Sequence, residues 1–224
     1  MPNVPSVENS RSAPHRRSVV LRALLAISAL AWVVGLALGV ERIWAYKATP
    51  GVNAVAPQQW PGSNLVSPAA GRSTLVMFVH PQCSCTRASL AELDSILRQS
   101  DGHLSAWVLF LHPPGTTEKW EKSATWDTAQ RMRGVRVASD DNGIESDRFG
   151  ASTSGQVVLY DAQGRLQFSS DITGARGHVG ENSGETRVIS LANTGTADAH
   201  DHAVYGCGLH DPHPRTDTPV DGST

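Results

Sequence analysis

Aromatic side chains are scarce in this chain, at 6% of its 224 residues. Net charge is nearly absent too: 19 Lys and Arg stand against 21 Asp and Glu, leaving −2 at pH 7. A balanced chain without a basic stripe lacks the electrostatic footprint of a nucleic-acid binder. There is no Walker loop, no glycine-rich dinucleotide fingerprint and no serine nucleophile elbow, so phosphate cradling and serine hydrolysis have no motif to rest on. No internal repeat is visible. Cysteines number only three. An odd count excludes a set of purely structural intrachain staples: at least one thiol is free, pairs between chains, or exchanges. The apolar fraction of 40% suffices for one core.

Long hydrophobic runs are also few. One stands out, from Val19 to Val40, broken only by Arg22. Residues 23–40 would span about 27 Å as a helix, close to the hydrocarbon thickness of a bilayer. Arg22 is near enough to the end to snorkel. Arg11, Arg16 and Arg17 precede the run, and Trp44 and Tyr46 suit the far interface. This asymmetry predicts an amino end in the cytoplasm and the bulk of the chain outside. A cleaved signal peptide competes, because Ala37-Leu38-Gly39 resembles a cleavage site, but the run exceeds most signal h-regions and an uncleaved anchor is preferred. On either reading Cys83, Cys85 and Cys207 are exported to a compartment that permits disulfides.

The most informative residues are Cys83-Ser84-Cys85. An apolar run over 74–79, read as a buried strand, precedes them, and a helical run over 86–97 follows. A helix start offers unpaired N–H groups and a positive dipole end, and both favour thiolate over thiol. The thiolate is the form that attacks disulfides and binds soft metals. Along the chain, 1–18 reads as a cytoplasmic segment, 19–40 as the anchor, and 41–71 as a Pro- and Gly-punctuated tether. Residues 72–193 read as the folded domain. Within it come a strand, a helix with Leu90, Leu93 and Ile96 on one face, and a second strand over 104–111. A helix over 124–132, a short strand over 135–137 and one or two helical turns over 144–149 follow. A hairpin over 156–168 and a helix over 182–193 complete it. Asp140, Asp141 and Glu145 read as a polar turn. Residues 194–224 form a His- and Asp-rich tail, expected to be poorly ordered apart from a docked patch at Val204-Tyr205-Gly206-Cys207. Strand–helix–strand units closed by an antiparallel hairpin predict an α/β fold with a central mixed sheet flanked by helices.

This layout resembles the thioredoxin fold, and 75–93 and 149–164 resemble the matching segments of membrane-tethered thioredoxin-like proteins. His80-Pro81-Gln82-Cys83-Ser84-Cys85-Thr86, Gly177-His178-Val179-Gly180-Glu181-Asn182 and Tyr205-Gly206-Cys207 are together most similar to the bacterial RedB-type branch. The resemblance covers residues 72–209. It implies thiol–disulfide exchange with a protein redox partner, without an organic cofactor, on the outer side of the bacterial cytoplasmic membrane. Two departures stand out. Thioredoxins carry Cys-x-x-Cys, but here the second cysteine comes one residue early and Thr86 takes its usual place. Their cis-proline before the third main strand aligns with Gly155. The absence of that proline makes metal binding more credible.

Cys83 is accordingly the expected nucleophile, with its thiol facing solvent, and Cys85 the expected resolving partner through a small, strained ring. Cys207 could resolve a mixed disulfide, pair with another protein or bind metal. A copper chaperone using Cys83 and Cys85, similar in design to the Sco-type proteins, is the alternative. His80, His178 and the tail residues His200, His202, His210 and His213 are its candidate third ligands, although His80 also suits a backbone-bonded strand end. The peroxidase pattern Pro-x-x-x-Thr-x-x-Cys is absent before Cys83.

Overall fold

The computed structural model describes residues 13–52, 54–198 and 203–209. His200, Asp201, His202, His210, His213 and Arg11 lie outside the described residues. The chain divides after Tyr46 into an N-terminal unit and a larger unit from Lys47 onward. The described residues of the first unit form one helix, α1 (Ala13–Ala48), which runs two residues past the boundary. Its stretch Ser18–Ala48 has a mean hydropathy of 2.4 and is the one helix among the described residues long and apolar enough to cross a membrane. Val19, Leu25, Leu30 and Trp32 are all exposed along it, as a lipid-facing helix requires.

The second unit is built on a five-stranded sheet. Its elements are β1 (Ser73–Val79), α2 (Thr86–Gln99), β2 (Leu104–His112), α3 (Glu118–Glu121), α4 (Ala124–Arg131), β3 (Val135–Asp141), α5 (Ile144–Phe149), β4 (Val157–Tyr160), β5 (Leu166–Ser170) and α6 (Ser183–Thr194). The strand order is β3-β2-β1-β4-β5. β1, β2 and β3 run parallel, while β4 and β5 pair antiparallel on the other side of β1. β1 is central and buried on both faces, which is why its sequence is a continuous apolar run. Period-two alternation then sorts its side chains. Leu75, Met77 and Val79 join one apolar cluster with Leu90, Leu93, Ile96, Phe110 and Val188. Val76 and Phe78 join the other with Phe149, Val158 and Tyr160.

α2 forms because 86–99 holds neither Gly nor Pro and places Leu90, Leu93 and Ile96 on one stripe, each at most 2% exposed. Burying each contributes about 1.5–3 kcal/mol. The helix stops where Ser100 turns its hydroxyl back to Ile96 O and the chain passes through left-handed Asp101 and Gly102.

Three expectations need correction. The 41–71 tether is not free: α1 continues to Ala48, and later residues pack on the domain. Ala56 and Val66 are buried, Trp60 stacks edge-on against Phe149 and Tyr160, and Tyr160 Oη donates to Pro57 O. The short strand over 135–137 runs on to Asp141. Asp140 is no mere polar turn, because its carboxylate accepts the N–H groups of Glu145 and Ser146 and so seats α5.

Candidate active site

Cys83 lies in the turn between β1 and α2. Its N–H donates to His80 O, and its own carbonyl accepts from Thr86 N, so the turn is closed by local backbone bonds. Cys85 occupies the N-cap position of α2. Thr86 is fully buried, with its hydroxyl donating to His80 O and lying 3.4 Å from Ser154 Oγ. Ser154 also takes the His80 N–H, so the loop before β4 is tied to the cysteine turn at two points. Gly155 closes that loop at φ +97, donating its N–H to Phe78 O. A Cβ there would lie 2.9 Å from Ser89 Oγ, so glycine suits both the conformation and the space.

The tail docks at this loop. Ser154 N donates to Cys207 O at 2.7 Å and Leu209 N to Ser152 O at 2.9 Å, around an antiparallel bridge between Thr153 and Gly208. Gly51 N donates to Val204 O, and Tyr205 N donates to the Asp171 carboxylate. Val204 and Leu209 are buried. The docked patch expected at 204–207 is thus present, and it extends to Leu209.

Docking brings Cys207 Sγ to 3.0 Å from Cys83 Sγ. That is a hydrogen-bond separation for sulfur, about 1 Å longer than a disulfide. The Cys83 thiol is pulled down to about 4, foremost by the hydrogen bond from Cys207. Burial opposes this, but backbone N–H groups of Cys207 and Cys85 and the Ser154 hydroxyl add to it. Cys207 moves the other way: its hydrogen bond to Cys83 and burial hold its proton on. Burial, then the negative charge at Cys83, likewise pushes Cys85 up, with Arg176 opposing. These influences favour the thiolate at Cys83 and the protonated thiol at Cys85 and Cys207.

The expectation that Cys83 faces solvent is corrected here: Cys83 is 4% exposed and Cys85 6%. Burial here does not make Cys83 inert, because the donors around it favour its charged form. Cys207, 124 residues away in sequence, lies 3.0 Å from Cys83 Sγ, and Cys85 also comes within hydrogen-bond reach of it.

The metal-ligand reading fares differently. His80 Nδ1 accepts the Gln82 N–H, and its ring packs edge-on against Trp120 at 5.2 Å. His178 sits in the 174–180 loop, where its N–H donates to Ala175 O. Among the described residues no three His, Cys, Asp or Glu side chains gather as a metal-holding group.

Four residues escaped the sequence reading. Ser154 supports Cys83, Asp171 holds the tail, Arg176 supplies positive charge near Cys85 and Cys207, and Trp120 backs His80. Ser154 sat inside the 149–164 segment that carries the resemblance, which was its only signal. The other three had none.

No family model matches the chain, and no curated protein matches it. Solved structures do. A hypothetical protein from Sinorhizobium meliloti is similar at a TM-score of 0.57 and 15% identity, over 72% of this chain and 97% of that one. An uncharacterized conserved protein from Geobacillus kaustophilus is similar at 0.52 and 13%, over 74% and 94%. A secreted disulfide oxidoreductase from Mycobacterium tuberculosis follows at 0.38 and 15%, over 55% and 84%. Identities this low speak to the fold and not to the activity. The mixed sheet flanked by helices, with two thiols at the first strand–helix junction, is a thioredoxin-like fold.

Proposed function

We propose that this chain is a membrane-anchored thiol–disulfide oxidoreductase of the RedB-type branch, working on the outer side of the bacterial cytoplasmic membrane. Cys83 is its nucleophile and Cys207 its resolving thiol. One observation carries this reading: a sulfur disposed to ionise sits 3.0 Å from a second sulfur delivered by the tail. Cys83 as thiolate attacks a substrate disulfide, forming a mixed disulfide and expelling the other sulfur as thiolate. The negative charge on Cys83 disappears in that step. Two of the influences holding Cys207 protonated, its hydrogen bond to that sulfur and the repulsion from its charge, disappear with it. Cys207 can then lose its proton to solvent and attack Cys83 Sγ. A Cys83–Cys207 disulfide forms, and the substrate leaves as a dithiol carrying two electrons. A protein dithiol resets the pair by the reverse exchange, and no organic cofactor enters. Cys85 is the third thiol, close enough to feel the Cys83 charge.

The test is a set of variants of the full-length protein. Cys83→Ser should abolish reduction of a model disulfide, by at least about a hundredfold. Cys207→Ser should accumulate a mixed disulfide on Cys83, visible by mass. Unaltered turnover in Cys83→Ser would sink the reading. So would stoichiometric copper in protein purified with reduced thiols, if that copper is lost in Cys83→Ser.

A further inference from the structure

The 203–209 segment does more than deliver a thiol. It is held as an added strand: Ser154 N–H to Cys207 O at 2.7 Å, Leu209 N–H to Ser152 O at 2.9 Å, and Thr153 opposite Gly208. Along the 152–154 edge the polar part of this recognition is main chain on both sides, and the Asp171 carboxylate adds one side-chain acceptor for the Tyr205 N–H. Within the tail, side chains matter at three places. Val204 and Leu209 fill buried positions before and after the cysteine. Gly206 crosses Ser154 so closely that a Cβ would lie 1.9 Å from Ser154 O, a backbone atom that cannot swing aside. Main-chain pairing of this kind is indifferent to which chain supplies the strand, while pockets and close approaches set the sequence.

We propose that the 152–154 edge is the docking strand for an extended polypeptide of the redox partner that carries glycine immediately before its reactive cysteine, and that the chain's own 203–209 segment is the resident competitor for that edge. This rests on the thiol-exchange reading above and adds what the partner must look like. The partner strand replaces the tail on 152–154 and presents its disulfide to Cys83. The Cys83 thiolate bonds to the sulfur next to the partner's glycine. The old sulfur–sulfur bond breaks, and its electron pair leaves with the distal sulfur as thiolate. When the tail returns, Cys207 gives its proton to solvent and bonds to Cys83 Sγ, and the partner cysteine departs as thiolate. The partner has gained two electrons and this chain has become a Cys83–Cys207 disulfide. Exchange and strand replacement are then one event, because the thiol that resolves the intermediate rides on the strand that displaces the partner.

The experiment uses the full-length protein in detergent, carrying Cys207→Ser so that only the first step occurs. Three probes are compared: Val-Tyr-Gly-Cys-Gly-Leu and Val-Tyr-Ala-Cys-Gly-Leu, each disulfide-bonded to thionitrobenzoate, and cysteine alone bonded likewise. The glycine peptide should release thionitrobenzoate at least about tenfold faster than the alanine peptide, because one added methyl overpacks the crossing. It should also react faster than the cysteine probe. Equal rates for the two peptides overturn the docking proposal while leaving the exchange reading intact. Release from no probe, or release undiminished by Cys83→Ser, overturns the exchange reading itself. A second variant guards the result. Gly206→Ala in the otherwise native chain should undock the tail, so that iodoacetamide alkylates Cys207 at least about tenfold faster than in wild type. Unchanged protection of Cys207 would show that the crossing does not select glycine and would overturn the proposal.

Discussion

The turn that carries Cys83 and the segment that carries Cys207 meet at one pair of sulfurs, yet they are held in opposite ways. The turn is local. It hangs between β1 and α2, two elements of the main core, and its backbone-to-backbone hydrogen bonds join residues a few positions apart, with Ser154 as a distant side-chain anchor. The 203–209 segment is held wholly by distant residues: the 152–154 edge, Gly51 and Asp171, with Val204 and Leu209 as apolar plugs. Contacts of the first kind persist as long as the domain is folded. Contacts of the second kind can be lost together while the sheet stays intact, since local opening costs less than global unfolding. On the proposed reading, the nucleophile is built into the fold and its resolving thiol is on a detachable strap. The division suits exchange chemistry, in which the attacking sulfur must stay poised and the resolving sulfur must step aside for a substrate.

The sharpest way to break this contrast is to compare the two candidate partners of Cys83. Cys207→Ser should stop multiple turnover and hold the substrate as a mixed disulfide, whereas Cys85→Ser should keep turnover within about threefold of wild type. Steady-state reduction of a protein disulfide, with mass spectrometry of quenched protein, reads both. Trapping by Cys85→Ser and free turnover by Cys207→Ser would return the resolving role to the nearer cysteine. A companion measurement follows the thiolate absorbance of Cys83 against pH. In Cys207→Ala its midpoint should climb from about 4 toward the ordinary thiol range, because the foremost cause of its depression is gone.

These variants also show where sequence reasoning reaches its limit. β1 was legible because a strand buried on both faces must be continuously apolar, and α2 because one buried stripe imposes helical spacing on Leu90, Leu93 and Ile96. The hairpin was legible from Asp161 to Gly164. The full length of β3 was not, since an edge strand with most residues half-exposed carries no strong pattern. α3, at four residues, is too short for any period to show. The packed half of 41–71 was hidden by its prolines, which read as a tether even where Trp60 and Val66 enter the core. At the site, the local order strand–cysteines–helix pointed straight to Cys83. The Cys83–Cys207 contact spans 124 residues and arises only when the tail pairs with the 152–154 edge. Nothing periodic encodes that pairing. Cys85 was the first choice of resolving thiol, with Cys207 the alternative; Cys85 does stay close to Cys83, and the tail adds Cys207 at 3.0 Å.

Stability offers a second probe, with smaller effects. Leu93 lies fully buried in the core beneath α2, and Leu209 is almost as buried under the strap. Leu93→Ala should lower the unfolding free energy by about 2–5 kcal/mol, the usual cost of a core cavity. Leu209→Ala should cost clearly less in a urea titration, because the strap can release before the domain unfolds and the penalty cannot exceed the free energy of docking. It should instead speed alkylation of Cys207 severalfold. Equal losses of global stability for the two variants would show that the strap unfolds only with the sheet, and the contrast between fixed nucleophile and removable partner would fall.

The smallest effect concerns the acid that holds the strap. Asp171 is 1% exposed, and its carboxylate accepts the Tyr205 N–H and the Thr173 hydroxyl. Burial nonetheless outweighs these bonds and pushes it up to about 6 from an ordinary 3.8. A folded-state value above the unfolded one means that the folded chain binds this proton more tightly. The contribution of Asp171 to stability therefore grows as pH falls from about 6 toward 3.8, and it is lost as pH rises through 6. Between pH 7 and pH 5 the gain should be about 1 kcal/mol. Other groups titrate in the same interval, so the measurement is a difference: urea unfolding of wild type and of Asp171→Asn at both pH values. The wild-type chain should gain about 1 kcal/mol on the variant as the pH drops, since an amide has no proton to bind. A gain of the opposite sign would mean that the charged carboxylate, gripping Tyr205, outweighs its own burial. The strap would then be fastened by charge at neutral pH and loosened by acid.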